Sequence, residues 1–313
     1  MHSRRAFLAG VGAAVGSTAG CLDSLRGSSN GDDDTLRLVM APGEFQGVVV
    51  DHIGGKNGVL QEKLDEVGYD LELEMTWDDV TLFASDGHDV GSMNAVEAAQ
   101  LGAERDRELA VFGRAGDVPP YSLIASRNDL SFGDSGGDFE VVTADYFALG
   151  DLTVDGEVDV ASTGPLLGIV DQARGGELAN AFYISDYLAE QGFSIPSLAM
   201  WVCPQSYLED HRPAVEALLE AYQEGVDWLY DNPYDASKQE DYMEMLGVEN
   251  ESQAEWLVDW GLKTTKSLDT PVMWKDVGLP DSYIQGQESY LDRAAEHDVA
   301  PSDWDDHLSF HSL

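Results

Sequence analysis

Val59-Leu60-Gln61-Glu62-Lys63-Leu64-Asp65-Glu66-Val67-Gly68-Tyr69-Asp70-Leu71-Glu72-Leu73-Glu74-Met75 changes its apolar period in the middle, and that change decides the fold. Up to Gly68 the positions Val59, Leu60, Lys63, Leu64 and Val67 fall on helical spacing. After it, Tyr69, Leu71, Leu73 and Met75 alternate strictly with acids, the period of a half-buried strand. Upstream, Leu36-Arg37-Leu38-Val39-Met40-Ala41 reads as a strand ending at the turn signal Pro42-Gly43, which opens a βα unit. Downstream the rhythm continues as a helix from Asp78 to Ala84, a strand from Val90 to Met93, a helix from Asn94 to Gly102 and a strand from Leu109 to Phe112. Such alternation predicts a mostly parallel sheet covered by helices.

Further strands are expected at Tyr121 to Ala125, Phe139 to Thr143, Val158 to Ser162 and Leu198 to Val202, with a helix from Pro165 to Arg174. Beyond them only helices are expected. Pro213 opens a long one, with Val215, Leu218, Leu219, Tyr222, Val226 and Leu229 on one stripe and Asn232-Pro233 as its stop. Others follow at Ala236 to Leu246, Gln253 to Lys266 and Ser282 to His297.

One internal echo bears on function. Asp86-Gly87-His88-Asp89-Val90-Gly91-Ser92-Met93 is matched later by Asp155-Gly156-Glu157-Val158-Asp159-Val160-Ala161-Ser162-Thr163. Each sets a helix stop and an acid before a buried strand that ends in a hydroxyl just ahead of a new helix, at Asn94 or at Gly164-Pro165. Ligands of open α/β sheets bind beyond the carboxyl ends of strands, where fresh helix N-termini offer N–H groups to an anion or a carbonyl. Two such ends facing each other would make a two-jawed site.

Composition narrows the function. Among 313 residues, 43% apolar sequence is enough for sizeable cores, while 17 Lys plus Arg against 59 Asp plus Glu leave a formal charge of −42. Non-specific nucleic-acid binding is excluded, because phosphate contacts need clustered cations. The acids are spread along the chain, which fits a halophilic surface screened at molar salt, where the Debye length is about 3 Å.

The N-terminus reads as an address. Ser3-Arg4-Arg5-Ala6-Phe7-Leu8 places paired arginines before an uncharged stretch running to Gly20, the layout of a twin-arginine signal. That stretch is shorter than the roughly 20 residues of a membrane-spanning helix. Ser17-Thr18-Ala19-Gly20-Cys21 resembles a lipobox, with Thr18 where Leu is usual, so Cys21 is the expected lipid attachment site. Residues 21–35 are then a flexible acidic linker. Cys203, the second cysteine, lies in an apolar run and reads as a small core hydrophobe.

The order of these features resembles the extracytoplasmic substrate-binding proteins of ABC importers, of the nitrate/sulfonate/taurine and thiamine-precursor (THI5-like, NMT1-like) group. The features are signal, lipobox, tether, Ala41-Pro42-Gly43, Asp86 to Asn94, Gly156 to Pro165 and Pro213 to Pro233. The resemblance runs over most of residues 36–250. It implies an α/β, two-lobed type II periplasmic-binding-protein fold with extra C-terminal helices: lobe one from residues 36–122 plus 204–313, lobe two from residues 123–203, and crossovers near Tyr121 to Ala125 and Leu198 to Val202. Gly133-Asp134-Ser135-Gly136-Gly137 leads straight to Phe139 where that group carries another strand and helix, so lobe two is expected to be trimmed. The ligand-binding candidates are Pro42, Gly43, Gln46, Ser92, Met93, Asn94, Ser162 and Thr163, with Trp77 and Trp201 as candidate aromatic walls. A small polar solute, either a sulfonate- or nitrate-like anion or a pyrimidine-like compound, is the expected ligand. The expected partners are an ABC permease and its ATPase, and the protein itself is expected to be a monomer on the outer face of the cytoplasmic membrane.

Two other readings stand beside this one. Gly133-Asp134-Ser135-Gly136-Gly137 equals the nucleophile motif of chymotrypsin-like proteases, but the mature chain before Ser135 offers only His52 and His88, amid βα repeats. A sensor or adaptor could also inherit the fold. No cofactor and no metal site are expected: His297, His307 and His311 with Asp303, Asp305 and Asp306 read as a solvated acidic tail.

Overall fold

The computed structural model describes residues 34–56, 58–116, 122–125, 152–153, 155–163, 179–183, 199–263 and 273–313. The signal, Cys21, Ser135, and the strand and helix expected at 139–143 and 165–174 lie outside them. Strand β1 (Thr35–Met40) leads through Pro42-Gly43 into helix α1 (Glu44–Asp51), which runs on into a π-helical turn. Helix α2 (Val59–Val67) ends at Gly68 in the left-handed conformation. There Gly68 N–H donates to Asp65 O and Tyr69 N–H to Leu64 O, a Schellman stop. Strand β2 (Asp70–Met75) then alternates as its sequence predicts, with Leu71, Leu73 and Met75 packed on the core. Helix α3 (Asp79–Ala84), strand β3 (Gly91–Met93), helix α4 (Ala95–Arg105) and strand β4 (Leu109–Arg114) complete the first half.

The expected parallel sheet needs one correction. β1 pairs with β2, and a parallel bridge from Leu38 to Val90, with Val39 N–H donating to Val90 O, carries the order on to β3. Beside β3 comes β8 (Met200–Pro204), then β4 and β9 (Leu308–Phe310). β1, β3, β4 and β9 run one way, and β8 runs against both its neighbours, with Ser92 opposite Trp201 and Val111 opposite Val202. A second sheet holds β5 (Ser122–Ala125) between β6 (Val160–Thr163) and β7 (Ala179–Tyr183), antiparallel to both. β7 carries no strand signal that the sequence reading found.

β4 and β8 are buried on both faces, which is why they read as unbroken apolar runs. Ala110, Phe112, Trp201 and Cys203 face one core, shared with α1, α2 and the long helix α6 (Arg212–Asp231). Leu109, Val111, Met200 and Val202 face the other, shared with α4 and α10 (Asp281–Glu296). Cys203 is fully buried, and burial pushes its thiol up to about 12, as befits a core hydrophobe. A short helix α5 (Gln205–Asp210) precedes α6. The helix expected from Ala236 to Leu246 is two, α7 (Pro233–Ser237) and α8 (Glu240–Met245), parted where Gln239 is extended; α9 (Glu251–Val258) ends in a π-helical turn.

The C-terminus is not a solvated tail. Trp304 is buried, and β9 lies parallel to β4 with Leu308 opposite Leu109; the N–H of Leu109 donates to His307 O and that of His311 to Val111 O. Two apolar residues, Leu308 and Phe310, after an acidic run gave too short a signal to mark a strand. Leu308 is 2% exposed, so Leu308→Ala is expected to cost about 2–5 kcal/mol. Denaturant unfolding would check this, and a loss within experimental error would show that β9 adds nothing to the sheet.

Candidate functional site

A cavity of about 210 Å³ opens at the carboxyl edge of the first sheet, lined by Ala41, Gly43, Gln46, Trp77, Asp79, Val80, Ser92, Met93, Glu97 and Ala199. The topology explains this assembly. β1, β2 and β3 all end there, so the segments that follow them meet: Ala41 to Gln46 after β1, Trp77 to Val80 after β2, and Met93 to Glu97 after β3. Ala199 arrives from the other direction, at the entry of the antiparallel β8.

Trp77 is 62% exposed and lies against Gly43, where a Cβ would collide with the indole ring. Gly43 has an ordinary negative φ, so it is needed for space and not for backbone conformation. Gln46, on the first turn of α1, is 7% exposed, and its Oε1 is buried without a hydrogen-bond partner. An orphan acceptor of this kind costs about 1–3 kcal/mol unless a ligand or water supplies a donor. That Oε1 is also close to the inter-sheet connection, since a Cβ on Gly116 would come within 2.5 Å of it. There Ala115 and Gly116 N–H groups both donate to Ala199 O, at 3.0 and 2.9 Å, and the Tyr222 hydroxyl donates to Ala115 O. The two crossing chains are thus tied together beside the cavity.

Of the helices that start at the cavity, α1 has no side-chain cap at Gly43, while α4 is capped. Asn94 Oδ1 accepts the Glu97 N–H at 3.0 Å and Glu97 Oε2 accepts the Asn94 N–H at 3.2 Å, a full capping box. At α3, Asp79 is 9% exposed. Burial, the largest influence, lifts its carboxyl above the ordinary value, while the backbone N–H groups of Val80 and Ala41 pull it back.

Of the residues singled out from sequence, Gly43, Gln46, Trp77, Ser92 and Met93 line this one cavity, and Pro42 adjoins it. Asn94 serves as a helix cap at its margin. Trp201 is elsewhere: fully buried in the core, edge-on to Tyr222 at 5.0 Å, because its place in β8 points it at α6. It is no wall of the cavity. Ser162 and Thr163 end β6, and their side chains lie outside the described residues. Ala41, Asp79, Val80, Glu97 and Ala199 were missed. Asp79 had a legible signal, an acid at the first turn of a helix that begins beside a strand end, but in so acidic a sequence it did not stand out. Among the described residues no cluster of three or more His, Cys, Asp or Glu is placed to hold a metal, and no helix is long and apolar enough to cross a membrane.

Residues 131–236 match the family model described as NMT1/THI5 like. Among curated protein sequences none matches. Solved structures do. The alkanesulfonate-binding protein SsuA from Xanthomonas axonopodis pv. citri, bound to MOPS, is similar with a TM-score of 0.64 at 10% identity, over 89% of this chain and 99% of that one. The periplasmic aliphatic sulphonate binding protein SsuA from Escherichia coli gives 0.64 at 13% identity, over 90% and 93%. The periplasmic nitrate-binding protein NrtA from Synechocystis PCC 6803 gives 0.57 at 12% identity, over 88% and 86%. At these identities the likeness establishes the fold, which is that of the type II periplasmic binding proteins.

Asp79 yields a test with a definite sign. A carboxyl whose folded-state pKa is raised favours the folded state below its unfolded value, and that contribution is lost as pH rises through the folded value. Ionised Asp79 therefore destabilises the ligand-free protein at neutral pH. Asp79→Asn, which keeps an acceptor for Ala41 and Val80, is expected to raise Tm at neutral pH by about 2–4 °C, the shift of roughly 1 kcal/mol, and to lose that advantage in acid. Thermal melts across pH check it; a neutral-pH Tm below that of the parent would overturn the assignment.

Proposed function

We propose that this chain is the solute-capturing component of an ABC import system. It binds a small polar solute between two lobes, residues 36–122 plus 204–313 and residues 123–203, and hands it to a membrane permease driven by a separate ATPase. The carrying observation is the cavity at the sheet's carboxyl edge, where an exposed indole and a buried, unpartnered Gln46 acceptor stand beside the tied connections to the second sheet. An exposed Trp on a collision-tight glycine is poor economy for stability and good provision for a flat or apolar ligand body. The similar structures are of sulfonate- and nitrate-binding proteins, which supports the same role.

Twin-arginine export, a lipid on Cys21 and a monomeric state complete the reading. So does a halophilic habitat, supported by how the few cations are used. Arg37 bridges Glu72 and Asp89, Lys63 bridges Glu220 and Glu224, and Lys238 bridges Glu251 and Glu255. Each cation thereby offsets two carboxylates on a crowded acidic surface. The chain performs no chemistry in this reading.

Purified protein in molar KCl is expected to show a saturable change in Trp fluorescence and a rise in Tm with its solute, and Trp77→Ala to weaken that binding on the order of tenfold. Silence across a broad solute panel, together with an esterase or peptidase activity that disappears in Ser135→Ala, would replace capture with hydrolysis.

A further inference from the structure

Asn250-Glu251-Ser252 is the one place in the chain where an Asn has a Ser or Thr two positions on. That is the acceptor pattern of N-linked glycosylation, a modification of surface loops in exported proteins. Three residues can fall into such a pattern by chance, so what decides is how the fold presents them.

All three are exposed, in the connection from α8 to α9. α8 stops at a left-handed Gly247, with the Val248 N–H donating to Met243 O, and Asn250 follows extended, with φ −158° and ψ 164°. The Asn250 side chain is engaged at one end only. Its Oδ1 caps α9 by accepting the Gln253 N–H at 3.1 Å, while Gln253 Oε1 accepts the Glu249 N–H at 2.7 Å and steadies the loop. Among the described residues nothing hydrogen-bonds to Asn250 Nδ2 or to the Ser252 hydroxyl. Asn232 is the contrast, since its Nδ2 donates to Trp228 O and Pro233 follows it. A glycan is joined to Nδ2 and leaves Oδ1 an amide oxygen, so a modified Asn250 still caps the helix.

The position is also compatible with solute capture. Gly261, in the π-helical turn that ends α9, lies against Phe45 on the first turn of α1, next to the cavity residue Gln46. α9, eight residues long, puts about 12 Å between that turn and Asn250. A glycan on Asn250 therefore starts at the end of α9 remote from the cavity.

We infer that Asn250 carries an N-linked glycan in the exported protein. A membrane-bound transferase on the outer face supplies it from a polyprenyl-phosphate-linked oligosaccharide. Nδ2 attacks the anomeric carbon, and a C–N bond forms as the C–O bond to phosphate breaks. The polyprenyl phosphate leaves with the electron pair, one Nδ2 proton passes to a base of the transferase, and nothing is oxidised or reduced. The inference rests on the export part of the reading above, because the acceptor has to reach the outer face, and it does not depend on which solute is bound. The twin-arginine route delivers its cargo folded, so the transferase meets the loop as the fold presents it.

The test isolates the protein from the cells that make it and reads, by mass spectrometry, its intact mass, its N-terminus and the peptide holding residues 250–252. Asn250→Asp and Ser252→Ala are treated alike: the first keeps an oxygen to cap α9 and removes the nitrogen, and the second leaves Asn250 in place. A sugar mass on Asn250 is expected in the parent and complete loss of it in both variants, with the parent's far-UV circular dichroism retained. Unmodified Asn250 in a chain that has lost its signal would overturn the inference and leave export and capture standing, as would a sugar mass that persists in both variants. A chain that keeps its signal and stays in the cytoplasm would end the inference together with the export reading.

Discussion

Everything at the site depends on one strand running the wrong way. Met200–Pro204 enters the first sheet between β3 and β4, antiparallel to both and buried on both faces. A strand in that position has to satisfy two hydrogen-bond ladders and two cores at once, so its register is fixed on all sides. That fixed register brings Ala199 to the edge where β1, β2 and β3 end, and Ala199 O then holds the N–H groups of Ala115 and Gly116. The chain leaving β4 and the chain entering β8 are therefore tied together at the place where the cavity opens. Gln46 Oε1 lies beside this clamp, against Gly116.

The cavity is also where the chain departs from what stability alone favours. Exposed indole, orphan amide oxygen and buried carboxylate are each unfavourable in the ligand-free protein. They meet on two neighbouring segments, the one that follows β1 and the one that follows β2. The capping box at α4 adds a second layer to this: Glu97 both completes the cap and lends its charge to the cavity wall. One residue links the start of a helix to the character of the site.

The sequence by itself settled what depends on neighbours along the chain. The switch of period at Gly68 marked helix and strand because a Schellman stop and a pleated strand are local geometries. The stripe on α6 and the turn at Pro42-Gly43 were legible for the same reason, and Gly43, Gln46, Trp77, Ser92 and Met93, which line one cavity, could be placed near strand ends because those ends can be read from turn chemistry. Tertiary structure alone decided the rest. The direction of β8 follows from where the chain returns, not from its apolar run, which reads the same in either direction. β7 and β9 are strands because a partner edge awaits them; Leu308-Ser309-Phe310 alternates, but over three residues only, too few to tell from chance. Trp201 and Trp77 look alike in sequence, yet one is sealed against Tyr222 and the other lies open on Gly43, since burial belongs to the packed molecule. Asp79 could be seen as an acid at a helix start, but only the folded chain removes it from water, and desolvation is what sets this carboxylate apart among 59 acids.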